Sequence, residues 1–352
     1  MKNKIHKSLT IVLKIRDNFE MADRWFDNMV KQSNKFRIVI ADGSKKKYPL
    51  NKNLNDHLEI EHIKTTYDKD HLTYMRKLEY VIGKKVKTKY TLIADDDDFY
   101  IVKKLEDYTN FLLKNPDYVG CGGNILKFEL QKFQLNKPIF TNFNKSKQVN
   151  LENNNRIDRI RTILNVNTYS EVYYDILKTE VLSKSFSDFI NINKKNVNYR
   201  FAEFYIMVNA LSNGKLKRFD NYYLMRQEDY QSSTSAGIIN NISSLFFQNW
   251  SENYFNLLKY TEKKFELKKN DKLYLEIEEQ YKSLFINFIS TEIINSGDFN
   301  ITFKSLVKTR MKSINIFGII KNIKRIITIK FSNIINHNKT KKYKKLILHG
   351  YQ

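Results

Sequence analysis

The chain has 352 residues, 41% of them hydrophobic and 14% aromatic, which is enough for a full core and excludes a disordered protein. A formal net charge of +23 calls for an anionic partner, and nucleic acid, an acidic membrane and anionic substrates all qualify. The single cysteine, Cys121, excludes an intrachain disulfide and a cysteine-based zinc site, and suits a reducing compartment.

Residues 1–7 are basic, but the apolar run after them is too short for a signal sequence. No segment approaches the roughly 18 uncharged apolar residues of a spanning helix. A cytoplasmic location is the expectation.

Residues 9–13 read as a first strand and 19–30 as a helix capped by Asp17 or Asn18. Residues 36–40 form a second predicted strand, ending in Ala41-Asp42-Gly43-Ser44, and 58–63 a third. Residues 70–82 are predicted helical, with Leu72, Met75, Leu78 and Ile82 on one face, and lead into the apolar run 90–94. Short apolar strands alternating with amphipathic helices predict a parallel sheet with right-handed crossovers.

Further on, 118–123 and 126–130 read as strands and 136–155 as a polar loop over the site. Residues 173–177 are a predicted strand and 201–211 a helix closed by Asn213-Gly214. Residues 216–219 and 222–225 then pair around a turn at Asp220-Asn221. After Ser235 the alternation stops and the chain turns helical. The expected division is a catalytic domain over 1–237 and a helical, basic region over 238–352.

Asp95, Asp96, Asp97 and Asp98 follow the buried run 90–94 directly. A strand delivering carboxylates at its C-terminal end puts oxygen ligands at the sheet edge where α/β proteins place their ligand crevice. Two ionised carboxylates about 6 Å apart repel by roughly 3 kcal/mol at an effective dielectric near 20, so the cluster calls for a cation. A hard divalent ion carrying phosphates is the expected guest. The competing explanation is a solvated acidic turn capping the helix that begins near Val102. Asp42, followed by Gly43 and Ser44, stands at the end of another strand, where a tight turn permits close approach of a base or ribose; by itself an Asp-Gly pair is only a turn.

Residues 9–13, Ile38 through Ser44 and Tyr90 through Phe99 together resemble the successive motifs of GT-A glycosyltransferases, specifically the family-2-like bacterial group, over roughly residues 8–230. The resemblance implies a GT-A, Rossmann-like, mostly parallel sheet flanked by helices and followed by the helical C-terminal region. It implies that Asp42 contacts the nucleotide, and that Asp95 and Asp97, in Asp-X-Asp spacing with Asp98 beside them, bind Mn²⁺ or Mg²⁺ on the sugar-nucleotide diphosphate. Asp96 shares the nucleotide side of that turn. Arg76 or Lys77 falls where related enzymes carry a basic residue near the diphosphate. A catalytic acid on the later helix maps to Glu203, which would take the proton of the acceptor hydroxyl in an inverting transfer, with Asp229 and Glu171 next in line. The doubled acidic motif of the family is not reproduced there.

Among the histidines, His57, His62 and His71 lack metal-ligand spacing, and surface or structural roles are expected. Tyr173, Tyr174 and Tyr205 are candidates to stack on sugar rings.

No acidic residue follows Asp298, while lysine and arginine crowd the same tail. Ile316, Ile320, Ile323, Ile327 and Ile334 recur at helical spacing, so residues near 311–335 read as a basic amphipathic helix. It either lies on an anionic membrane, making the protein peripheral at the inner face of the cytoplasmic membrane, or packs on the enzyme. The function expected is metal-dependent transfer from a nucleotide-sugar to a glycan or lipid-linked acceptor in surface-glycan assembly. A nucleotidyltransferase of similar fold is the near rival, disfavoured by the lack of a Gly-rich basic loop after the first strand. A non-enzymatic nucleic-acid-binding protein is the rival of another class, and leaves the aspartates without a purpose.

Overall fold

The computed structural model describes residues 8–131, 134–142, 149–165, 171–194, 198–227, 250–269 and 271–295. The first part alternates as the sequence predicts: β1 (Leu9–Ile15), α1 (Phe19–Lys31), β2 (Arg37–Asp42), β3 (Ile60–Lys64), α2 (His71–Tyr80), β4 (Tyr90–Asp95), β5 (Phe99–Tyr100) and α3 (Val102–Lys114). The second adds β6 (Tyr118–Gln131), β7 (Gln134–Asn142), α4 (Arg156–Leu164), β8 (Ile176–Lys178), α5 (Thr179–Asn193), α6 (Tyr199–Asn213), β9 (Lys215–Gln227), α7 (Trp250–Phe265) and α8 (Lys272–Asn295).

One nine-stranded sheet runs in the order β3-β2-β1-β4-β8-β6-β9-β5, with β7 beside β6. Strands β3, β2, β1 and β4 are mutually parallel; beyond β4 the sheet is mixed, since β8 is antiparallel to both its neighbours. Leu9, Ile11, Val12 and Leu13 of β1, Ile38 to Ala41 of β2 and Leu92 to Ala94 of β4 are fully buried, as a sheet covered by helices on both faces requires. Each Leu, Ile and Val among them contributes about 1.5–3 kcal/mol through burial. The parallel register sets Lys14 beside Asp95 and Ile15 beside Asp42. Asp42 and Asp95 therefore flank the C-terminal end of β1, at the point where successive crossovers leave in opposite directions.

Several local expectations are corrected. Residues 118–130 form one strand, not two, because β9 pairs with β6 throughout and absorbs the irregularity as register shifts around Asn124. The expected hairpin at Asp220-Asn221 is a bulge within β9: Gly123 faces Phe219 and Asn124 faces Tyr222. Asn124 Nδ2 donates to Asp220 Oδ1 at 3.1 Å and Tyr108 Oη to Asn221 Oδ1 at 2.6 Å, holding the two extra residues out. The predicted loop over 136–155 contains most of β7 and, at Leu151, a bridge to Leu216. Residues 172–175 are a turn ahead of β8, drawn in by a buried ion pair between Asp175 and Arg218.

The helix boundaries fall close to prediction. Asp70 caps α2 through a capping box with Thr73, and the Gly214 N–H closes α6 on Ala210 O at 3.1 Å. At α1, Asn18 occupies the cap without a side-chain bond. Asp17, at φ 55°, instead accepts from Lys45 N at 2.8 Å while its own N–H donates to Ser44 Oγ at 2.9 Å, so the turns after β1 and β2 are tied together. Helices α7 and α8 pack on α6, with Tyr260 stacked on Tyr205 at 4.5 Å and Phe285 against Phe201 and Phe204 at 5.3 and 4.9 Å. The helical character expected after 235 is present, while the boundary near 238 and the helix near 311–335 lie outside the described residues.

Candidate active site

The four aspartates form the turn between β4 and β5. Asp98 N–H donates to Asp95 O at 3.4 Å, and β5 is pinned antiparallel to the end of β9. This turn gathers carboxylate oxygens of Asp95, Asp97 and Asp98 within 4.8 Å of one another; Asp96 stands outside that group. Asp98 is 1% exposed. Its Oδ1 accepts from Gln227 N at 3.3 Å, and its Oδ2 is buried with no protein partner. An ionised oxygen left so would be costly.

Burial, with neighbouring Asp97 and Asp95 adding repulsion, pushes Asp96 and Asp98 well above the usual carboxylate range. Asp97 is pushed up to about 6, by burial first and Asp95 second. In Asp95 the same burial is outweighed by Lys14 and Arg226, which hold its carboxyl below the ordinary value. The capping explanation for the cluster fails: Ile101 is the N-cap of α3, and the first helical N–H, Val102 N, is satisfied by Gln32 Oε1 at 3.0 Å.

Basic and aromatic side chains surround the turn. Lys14 pairs with Asp95, donates to Tyr173 Oη at 3.3 Å and lies 5.0 and 5.6 Å from the rings of Tyr173 and Tyr74. Tyr174 Oη donates to the other Asp95 oxygen at 3.0 Å. Arg226 covers the Tyr174 ring at 4.5 Å and pairs with Glu171 at 2.9 Å. From behind, Arg24 reaches Asp97 O at 3.4 Å and Gln227 Oε1 at 2.9 Å.

Asp42 is fully buried. Its carboxylate accepts from Ser44 N, Tyr48 N and His62 Nε2, each at 2.9 Å. Burial alone would raise its pKa, but these three donors win and hold it far below the usual range. The aspartate thereby shapes the turn over residues 43–48. Gly43 backs onto the Asp68 carboxylate, with no room for a Cβ. Asp68 in turn pairs with Lys77, both almost wholly buried, and burial lowers the lysine's pKa. Arg76, next to it on α2, is exposed. The two basic candidates therefore occupy different faces of the helix.

Glu203 lies in the second turn of α6 and is partly exposed. Its charge acts on the Tyr173 hydroxyl, which also feels Lys14 and Asp95. Tyr173 and Tyr174 line the site. Tyr205 does not: it is fully buried between Phe189 and Tyr260. Glu171 reaches Arg226, and Asp229 is outside the described residues. His62 serves Asp42, and His57 is exposed at the end of a 3₁₀ turn. The sequence reading missed Lys14, Arg24, Arg226 and Gln227. Lys14 carried a signal, being a lone lysine between Leu13 and Ile15 in an otherwise uncharged strand; the others are recognisable only once β9 and α1 are placed behind the turn.

The fold is shared with a solved structure. The crystal structure of S. aureus TarS 1-349 superposes with a TM-score of 0.52 at 11% identity, covering 92% of this chain and 80% of that one. A second crystal structure of S. aureus TarS gives a TM-score of 0.47, also at 11% identity, over 87% of this chain and 46% of that one. No family model and no curated protein matches the sequence.

Proposed function

We propose that this protein is a metal-dependent glycosyltransferase that moves a sugar from a nucleotide-sugar to a glycan or lipid-linked acceptor in surface-polysaccharide assembly. The observation that carries the reading is the convergence of Asp95, Asp97 and Asp98 at the C-terminal edge of the parallel strands, with a buried Asp98 oxygen lacking any partner. The resemblance of the strand-end motifs to GT-A enzymes supports it. So does the fold shared with the crystal structure of S. aureus TarS 1-349.

An oxygen-only donor set fits Mn²⁺ or Mg²⁺. Of the three grouped carboxylates Asp97 and Asp98 would hold the ion, with Asp95 beside them; when bound it would supply neutralisation of the departing diphosphate. Asp42 supports the nucleotide by holding the 43–48 turn, and Asp96 faces the donor from the acidic turn. Arg76, being exposed, is the cation on α2 free to meet phosphate, while Lys77 is committed to Asp68. Glu203 is the general base. The acceptor oxygen attacks the anomeric carbon, its proton passes to Glu203, and the bond to the diphosphate breaks with its electron pair leaving on the nucleotide, which inverts the centre. Residues 1–237 form the catalytic unit in this reading. Residues 238–352 are read as a helical, basic region whose tail either adds an anionic membrane surface as partner or packs on the enzyme. Among the described residues no helix is long and apolar enough to cross a membrane.

Thermal-shift screening of nucleotide-sugars with and without Mn²⁺ tests the proposal, since a ligand bound only by the folded state raises its stability. A nucleotide-sugar that stabilises only with metal, followed by release of a nucleoside diphosphate on turnover, is the expected result. Release of pyrophosphate would identify a nucleotidyltransferase instead. Stabilisation by nucleic acid alone, lost steeply with salt, would favour the binding protein.

A further inference from the structure

Lysine inside a buried strand is costly unless its charge is met. Lys14 lies between Leu13 and Ile15 of β1, both essentially buried, and its side chain is 11% exposed. The parallel register places it directly beside Asp95, and its ammonium sits on Asp95 Oδ1. Tyr173 Oη at 3.3 Å and the rings of Tyr173 and Tyr74 fix the remaining directions. The second Asp95 oxygen accepts from Tyr174 at 3.0 Å. Both oxygens of Asp95 are thus engaged by the protein, whereas Asp98 Oδ2, 1% exposed as a residue, has no partner at all.

The three carboxylates of the triad are therefore unequal. A divalent ion that recruited Asp95 would have to displace Lys14 or stand against its ammonium, a like-charge contact in a poorly solvated place. Among the described residues no cation is paired with the side-chain oxygens of Asp97 or Asp98, so an ion held by these two displaces none, although Arg226 and Lys14 act on both through space. Two protein carboxylates leave most positions of an octahedral ion to water and to the phosphates of a donor, the arrangement usual where Mg²⁺-like ions serve nucleotides.

We propose that Lys14 is a positioning residue that holds Asp95 out of metal coordination, so that the ion rests on Asp97 and Asp98 and its affinity without donor is kept low. The inference rests on the reading of the acidic turn as a metal site. Removing Lys14 frees Asp95 as a third carboxylate ligand and tightens the bare site, while Lys14→Arg preserves the cation and the wild-type behaviour.

The test is Mn²⁺ binding without nucleotide, followed by calorimetry and by the loss of the free-ion electron paramagnetic resonance signal, on the full chain and on Lys14→Met, Lys14→Arg, Asp95→Asn, Asp97→Asn and Asp98→Asn. Lys14→Met should bind Mn²⁺ at least about tenfold more tightly, the lower end of the range over which groups behind the ligands tune a metal site. The gain should vanish in Lys14→Met/Asp95→Asn. If Lys14→Met does not fold, Asp95→Asn decides: its affinity should stay within about threefold of the parent, against a loss of about tenfold or more in Asp97→Asn and Asp98→Asn. Equal losses in all three aspartate variants, or an unchanged affinity in folded Lys14→Met, would overturn the role of Lys14 and leave the metal site standing. No Mn²⁺ binding by the parent or by Lys14→Met would overturn both.

Discussion

Gln227, the last residue of β9, donates its backbone N–H to Asp98 Oδ1 at 3.3 Å across 129 residues of sequence. The acidic turn is therefore built from two directions: β4 delivers it, and the far end of the sheet orients its last carboxylate. The side chain of the same glutamine accepts from Arg24 at 2.9 Å, which brings a cation up behind Asp97.

Asp97→Asn should abolish turnover and weaken metal-dependent nucleotide binding sharply, while the metal-free fold is unchanged or slightly stabilised. The substitution removes one charge from a repelling cluster. Full activity in the variant, or a parent activity untouched by EDTA, would contradict the metal assignment.

Asp97 also sets an expected pH dependence for the metal-free protein. Its carboxyl is pushed up to about 6, by burial first and by Asp95 next, against about 3.9 in an unfolded chain. Between these values the folded state binds more protons than the unfolded one, so stability falls as pH rises from about 4 through about 6. Allowing for the partial exposure of this side chain, the fall attributable to Asp97 is about 1–2 kcal/mol. Chemical denaturation in the presence of EDTA at pH 4.5 and 7 should show it, and Asp97→Asn should flatten that part of the slope.

Glu203→Gln should leave donor affinity intact and lower the transfer rate by about two to four orders of magnitude, the range for loss of a general base. Single-turnover kinetics with a saturating donor provide the measurement. An unchanged rate, or a defect confined to donor binding, would move the search for the base to Glu171 and Asp229.

Arg218→Met should cost roughly 3–5 kcal/mol, because it strands Asp175, fully buried, without its counter-charge. Gly122 packs against that carboxylate with no room for a Cβ, so the site has little means of relaxing. Replacing both partners, as Arg218→Met/Asp175→Leu, should recover most of the loss. A single variant as stable to urea as the parent would show that the pair is dispensable.

Deleting residues 311–352 should release the protein from anionic vesicles and spare donor binding at the sheet edge. Each basic residue close to such a surface contributes about 1 kcal/mol, screened by salt. Co-sedimentation with phosphatidylglycerol vesicles at low and high ionic strength reads the effect directly. A truncation that lowers the melting temperature without altering sedimentation would assign the tail to the enzyme's own packing.

The sequence by itself determined the parallel strands β1, β2, β3 and β4, the helices between them, and the placing of Asp42 and Asp95 at one edge. Those features are local: continuous apolar runs bounded by turn residues define the buried strands β1, β2 and β4, isoleucines interspersed with polar residues mark the half-buried edge strand β3, and a parallel arrangement carries every strand end to the same side. It also marked the acidic turn, since four adjacent carboxylates need an explanation in any fold. What each carboxylate does there was decided by tertiary structure alone. Lys14 meets Asp95 through strand register, Tyr174 reaches it across 79 residues and Gln227 reaches Asp98 across 129. Asp220-Asn221, a turn by local rules, became a bulge because β6 offered β9 partners on both sides of it. The division of labour among Asp95, Asp97 and Asp98 depends on which oxygens are already bonded and which are buried without a partner, and only the packed sheet fixes that.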